Sequence, residues 1–212
     1  SITKENLSSL IGLTIGVIQL KNIPGLTFKS VLNSNSIDYA EISSPTNASE
    51  NKVNLIGISA TEIGSIYCDA FLVPSPQADL KAKALNLNFI ASLQDLYGEN
   101  GFPQAVVVAK NSLIESNPKF VSEFTNSLKD SNGFICESNI ESICKHISEN
   151  LQDGLTPTFT AKNLTYQMIK NSSIGFVETK NCKAEIINFI SNVQKVDVNS
   201  IKTLSDNFFY KN

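Results

Sequence analysis

Apolar positions in the first hundred residues come in short runs separated by polar turns. Leu13 to Ile18 is one such run, bounded by Gly12 and the turn that begins at Gln19, and it predicts a strand. Pro24 to Asn33 carries Leu26, Phe28, Val31 and Leu32 at helical spacing, and Ser34-Asn35-Ser36 ends it. Tyr39 to Ile42 and Val53 to Ile58 read as two further strands, joined by the polar connector Ser43 to Asn51. Ser59-Ala60-Thr61-Glu62 has the S-x-x-E form of a capping box and predicts a short helix that stops near Cys68-Asp69. Ala70 to Val73 reads as a brief buried strand closed by Pro74-Ser75-Pro76, Gln77 to Leu85 as a helix, and Asn88 to Ala91 as a strand. Strands alternating with helices argue for a parallel sheet covered on both faces.

Gly98 to Pro103 breaks this alternation. Gln104 to Ala109 then predicts a strongly apolar strand, after which the pattern is mostly helical. Helices are expected from Asn117-Pro118, over Asn139 to Leu151, Thr160 to Ile169 and Cys182 to Val193. The aromatic tail Leu204 to Tyr210 is expected to be packed down. The natural division is an α/β part over residues 9–102 and a part over 103–212 made of the return strand and C-terminal helices, with Gly98 to Pro103 as hinge.

Three turns follow predicted strands, where open parallel sheets place ligands. The first carries the amides of Gln19 and Asn22, the cation of Lys21, and Gly25, which lets a backbone approach closely. The same residues also fit a plain turn with a proline in the first helical turn. The second offers the hydroxyls of Ser59 and Thr61, which equally serve as caps. The third holds Ser75 stiffly between two prolines, which also fits a rigid turn. Gln104, opening the apolar strand, joins these as a ligand-binding candidate. Backbone amides at strand-to-helix junctions, rather than reactive side chains, are the expected working parts.

Composition narrows the chemistry. All 17 basic residues are lysines, so no guanidinium clamp on an anion comes from these residues. The net charge of −3 with interspersed signs gives no basic stripe and argues against nucleic acid. The single His146 lies in a helical pattern with no ligand partner at metal spacing, and it gives a Ser-His-Asp or Cys-His centre little to build on. Neither a metal nor a cofactor is expected. Cys68, Cys136, Cys144 and Cys182 lack C-x-x-C spacing and read as thiols filling small gaps. No apolar run approaches the roughly 18 residues of a membrane span, and Ser1 to Glu5 has no apolar leader core.

Five segments, in order, resemble one family. Leu7 to Val17 is similar to the opening of the second lobe of ABC-transporter substrate-binding proteins of the nitrate/sulfonate/taurine and thiamine-precursor type. Ile23 to Lys29 resembles the first helix of that lobe, and Cys68-Asp69-Ala70-Phe71-Leu72-Val73-Pro74-Ser75-Pro76 its V-D-A-x-x-x-P-E-P segment, with Ser75 where an acid is frequent. Pro103 to Lys110, with Ile114 to Val121, resembles the return strand and following helix. Leu204 to Lys211 resembles the aromatic ending of one branch.

The resemblance implies a type II periplasmic-binding-protein-like α/β fold, a parallel-rich sheet with flanking helices plus a helical C-terminal part. It implies a small organic or anionic ligand held without catalysis in an interlobe cleft. It further implies delivery to an ABC permease in the membrane, an extracellular or periplasmic location, and lipoprotein anchoring of the full-length form. Set against the family pattern, these residues would begin at the lobe crossover, and the N-terminal portion of lobe one is expected to be absent from them. The strand Gln104 to Ala109 would then lose its sheet neighbours, and homodimerisation or altered helix packing is the expectation. An enzyme on the same fold, of the menaquinone-pathway or pyrimidine-synthase kind, and the effector domain of a LysR-type regulator are the alternatives.

Overall fold

A computed structural model describes residues 1–210. Lys211, the last residue of the tail motif, lies outside the described residues. The strands are β1 (Thr14–Ile18), β2 (Tyr39–Glu41), β3 (Val53–Ile58) and β4 (Ala70–Leu72). The helices are α1 (Ile23–Ser34), α2 (Gln77–Leu85), α3 (Leu93–Tyr97), α4 (Asn111–Ser116), α5 (Pro118–Glu137), α6 (Ile140–Glu149), α7 (Tyr166–Asn171) and α8 (Thr179–Val196).

The chain forms two compact units. The first joins Ser1–Pro103 to Thr179–Asn212, and the second is Gln104–Glu178. The first unit is α/β, with an all-parallel sheet in the order β2-β3-β1-β4. Its register sets Ile18 beside Ile58 and Glu41 beside Leu55, so β1, β2 and β3 end on one edge. Alternation decides the faces. Ile15 and Val17 of β1, with Val53 and Leu55 of β3, join Phe28, Val31 and Leu32 of α1 in one buried cluster. Ile56 and Ile58 point the other way, onto Ile63 and its half-buried neighbours Cys68, Phe71 and Val73.

Gly25 to Leu32 of α1 are all buried, so this helix has almost no solvent face. The reason is α8, whose Phe189 and Val193 close over Leu26. Phe209 of the tail packs with Ile186 and Ile190 of the same helix. The C-terminal helix therefore belongs with the α/β unit, and the division is not the sequential split at 102/103 that the pattern suggests.

The second unit is helical. Asn117, Asn139 and Thr165 cap α5, α6 and α7 by accepting from the backbone N–H groups of Phe120, Ser142 and Met168. Gln104 to Ala109 is not a strand: it is exposed and irregular, and none of its backbone groups is hydrogen-bonded among the described residues. Its valines have strand propensity but no neighbouring strand to pair with. Asn88 to Ala91 likewise forms no strand, because the sheet ends at β4; only Ile90 O is engaged, accepting from Ile2 N–H at 2.8 Å. The helix expected after Ser59 is absent too. The Ser59 to Glu62 turn forms, but Gly64 takes a left-handed φ of 80° and stops propagation. Among the described residues no helix is long and apolar enough to cross a membrane.

Candidate functional site

β1 leaves the sheet at Ile18, and the chain turns sharply at Gln19, whose φ of 59° is left-handed. Gln19 O accepts the Asn22 N–H at 2.9 Å, and Asn22 O then accepts the Leu26 N–H at 2.9 Å as α1 starts. This turn holds Gln19 and Lys21 above the carboxyl edge of the sheet. Glu41, Ile42 and Ser43 arrive there from β2, and Gly57 and Ile58 from β3. Together with Leu20, these residues line an open hollow of about 620 Å³. The lack of a side chain at Gly57 keeps its floor low: a Cβ there would already touch Leu20.

An ion pair between a buried lysine and an exposed carboxylate anchors this edge. Lys29 of α1 is only 3% exposed, yet its ammonium donates to Leu20 O at 3.2 Å and to Glu41 Oε1 at 2.6 Å. One side chain thus ties the helix, the turn after β1 and the end of β2 together. The Glu41 side chain is 43% exposed, and no donor among the described residues reaches its second oxygen. Burial pushes the Tyr39 phenol up from its ordinary pKa, and the Glu41 charge adds to this; a hydrogen bond with Asn33 works against it.

The structure distributes the sequence candidates unevenly. Gln19 and Lys21 line the hollow, and Lys21 has no ion pair or hydrogen bond among the described residues. Asn22 is exposed at the start of α1 and makes no side-chain cap. Gly25 is buried, and the side it would present to a ligand faces the Leu20 backbone instead. Ser59 and Thr61 stand just past β3 on the same sheet edge, outside the lining of the hollow. Their hydroxyls lie 2.9 Å apart, and Ser59 gives both its N–H and its O–H to Glu62 Oε2, at 2.7 and 2.8 Å. Those bonds hold the Glu62 carboxyl below the ordinary range, the backbone bond most strongly. Ser75, past β4, donates to Asp79 at 3.3 Å. Gln104 lies in the second unit, exposed.

Glu41, Lys29 and Gly57 escaped sequence reasoning. One signal was present: Lys29 is the only charged residue between Ile23 and Ile37, an isolated cation in an otherwise uncharged helix. No histidine lies in the first unit; His146 is exposed in the second, its ring 5.3 Å from that of Phe134. Among the described residues no group of three or more His, Cys, Asp or Glu is placed to hold a metal ion. The hollow therefore offers one ammonium group, one half-used carboxylate, an amide, a hydroxyl and apolar walls, a set suited to holding a polar molecule. The chain matches no family model, no curated protein and no solved structure with which it was compared.

Proposed function

We propose that this protein is the solute-binding component of an ABC import system, holding a small organic or anionic ligand without catalysis. On this reading the fold is the type II periplasmic-binding kind, the partner is a membrane permease, and the protein works outside the cytoplasm. One observation supports it above the others: the hollow stands at the carboxyl ends of three adjacent parallel strands, the edge at which open α/β sheets bind ligands. Its volume falls in the range of small-molecule sites. Lys21, uncommitted within the described chain, provides an attraction for a ligand's negative end.

A thermal-shift screen against sulfonates, nitrate, pyrimidines and small aromatic acids tests the reading. A ligand present at a hundredfold its Kd stabilises by about 2.7 kcal/mol, which raises Tm by roughly 5–10 °C in a chain of this size. Lys21→Ala should diminish the shift produced by an anionic ligand. A flat screen combined with turnover of one of these compounds refutes the reading in favour of an enzyme.

A further inference from the structure

We propose that Glu41 is a specificity-determining contact of the hollow, which selects small ligands carrying an N–H donor that are not cationic overall. The inference rests on the solute-binding reading and names the ligand chemistry of that site.

The argument begins with charge. A carboxylate lining a pocket ordinarily attracts cations, but Lys29 sits behind this one at 2.6 Å and cancels it. Lys21 then leaves the lining with a surplus positive charge. A cationic ligand gains nothing there by Coulomb attraction, whereas a neutral or anionic one suffers no penalty. The second argument is hydrogen-bond capacity. An ionised carboxylate accepts through both oxygens. Lys29 occupies Oε1 only, and Oε2 has no donor among the described residues. A ligand N–H is the natural donor, and a bond to a charged acceptor is among the stronger ones. The third argument is rigidity. Lys29 is buried and also bound to Leu20 O at 3.2 Å, so the carboxylate that lines the hollow is held in place through Oε1. Lys29 thus acts as a positioning residue.

The test uses matched probes on the full chain, with binding read by ligand-observed NMR titration. Benzamide is paired with acetophenone and 4-aminopyrimidine with 4-methylpyrimidine; each pair differs by an N–H donor at similar shape. Taurine and benzoate report on binding at the hollow as such. In the unaltered protein the N–H member of each pair should bind at least tenfold tighter, and benzamidine no tighter than benzamide. Glu41→Gln presents an amide in place of the carboxylate and should erase the tenfold preference. Lys29→Met/Glu41→Leu replaces the pair by apolar groups, guards against misfolding through an unpaired buried cation, and should erase it too. Lys29→Met alone strips the neutralising charge and should make benzamidine bind several-fold tighter than benzamide, a reversal that a purely structural lysine would not cause. Taurine or benzoate binding with no N–H preference overturns this inference and leaves the solute-binding reading standing. A preference that survives in Glu41→Gln also overturns it. Absence of binding by every probe overturns both.

Discussion

Replacing Asn54 by leucine removes a side chain that is 0% exposed and makes four hydrogen bonds. Its Nδ2 shares two protons among Leu13 O at 3.2 Å, Ser49 O at 3.0 Å and Lys52 O at 3.2 Å, and its Oδ1 accepts the Ser49 N–H at 2.8 Å. Two of these groups keep other partners: Leu13 O still accepts the Asn54 N–H at 2.9 Å, and Lys52 O the Gly12 N–H at 2.9 Å. The loss therefore falls on the N–H and C=O of Ser49. Each orphaned group costs about 1–3 kcal/mol when buried, and Ser49 is only half-buried, so the low end applies. The net expectation for Asn54→Leu is about 2 kcal/mol, a Tm lower by roughly 4–8 °C.

Asn54→Asp sharpens the same reasoning. The new carboxylate keeps the acceptor for Ser49 but faces three carbonyl oxygens with no proton to give. A buried charge left without a partner costs about 3–5 kcal/mol. Its folded pKa must be raised above the unfolded value. Stability is then greatest below the ordinary Asp pKa of about 3.9 and falls as pH rises. Urea unfolding followed by circular dichroism, at several pH values, measures both variants. A leucine variant within 0.5 kcal/mol of the parent, on the scale of ordinary surface substitutions, or an aspartate variant no weaker than leucine at pH 7, refutes the reasoning.

Other sites give independent checks. Gly25→Ala drives a Cβ into the Leu20 backbone and should cost about 2–3 kcal/mol, whereas Gly133→Ala, mid-helix in open space, should gain about 0.5–1 kcal/mol; equal effects in urea melts would contradict the packing described. The Glu62 carboxyl is held low by Ser59, so the turn's contribution is intact above the ordinary Glu range and is lost as pH falls through its lowered pKa. The Ser59 amide resonance should titrate below pH 4.3, the ordinary Glu value of about that size, and a midpoint above it argues against the bond. Burial and then the Asp69 charge push the Cys68 thiol up, and burial and then Glu141 do so for Cys144. Iodoacetamide near neutral pH should therefore label exposed Cys136 first, as peptide mass mapping would show.

The sheet and its principal helices were legible because each element is bounded by breakers. Gly12 and Gln19 frame β1, Pro24 opens α1, and the Pro74 to Pro76 turn closes β4. The misreadings share one physical origin. Ala105 to Ala109 and Asn88 to Ala91 carry apolar side chains, but a strand is defined by a partner, and composition does not say whether one is within reach. Only one arm of the capping box after Ser59 forms, Glu62 accepting the Ser59 N–H, while the Ser59 hydroxyl also turns to that carboxylate; Gly64 stopped the helix that the box would have opened. Of the residues that line the hollow, Gln19 and Lys21 were legible as turn residues, since they follow β1 directly. The rest depended on which strand lies beside which. β2 is not hydrogen-bonded to β1, and only the order β2-β3-β1 brings Glu41 and Gly57 to the same rim. Lys29 was hidden because a lysine in a helix normally marks the wet side, whereas here its ammonium is turned onto Leu20 O and Glu41 at the sheet edge.

The late arrival of α8 has a consequence for biogenesis. While the ribosome is still translating the stretch from Pro103 to Val196, the first unit has its four strands and α1 but not the Phe189 and Val193 that cover Leu26. At about 5–20 residues per second, the wait is roughly 5–20 s. For that interval the nascent chain carries a bare, oily flank, and it is then that a chaperone has most to shield.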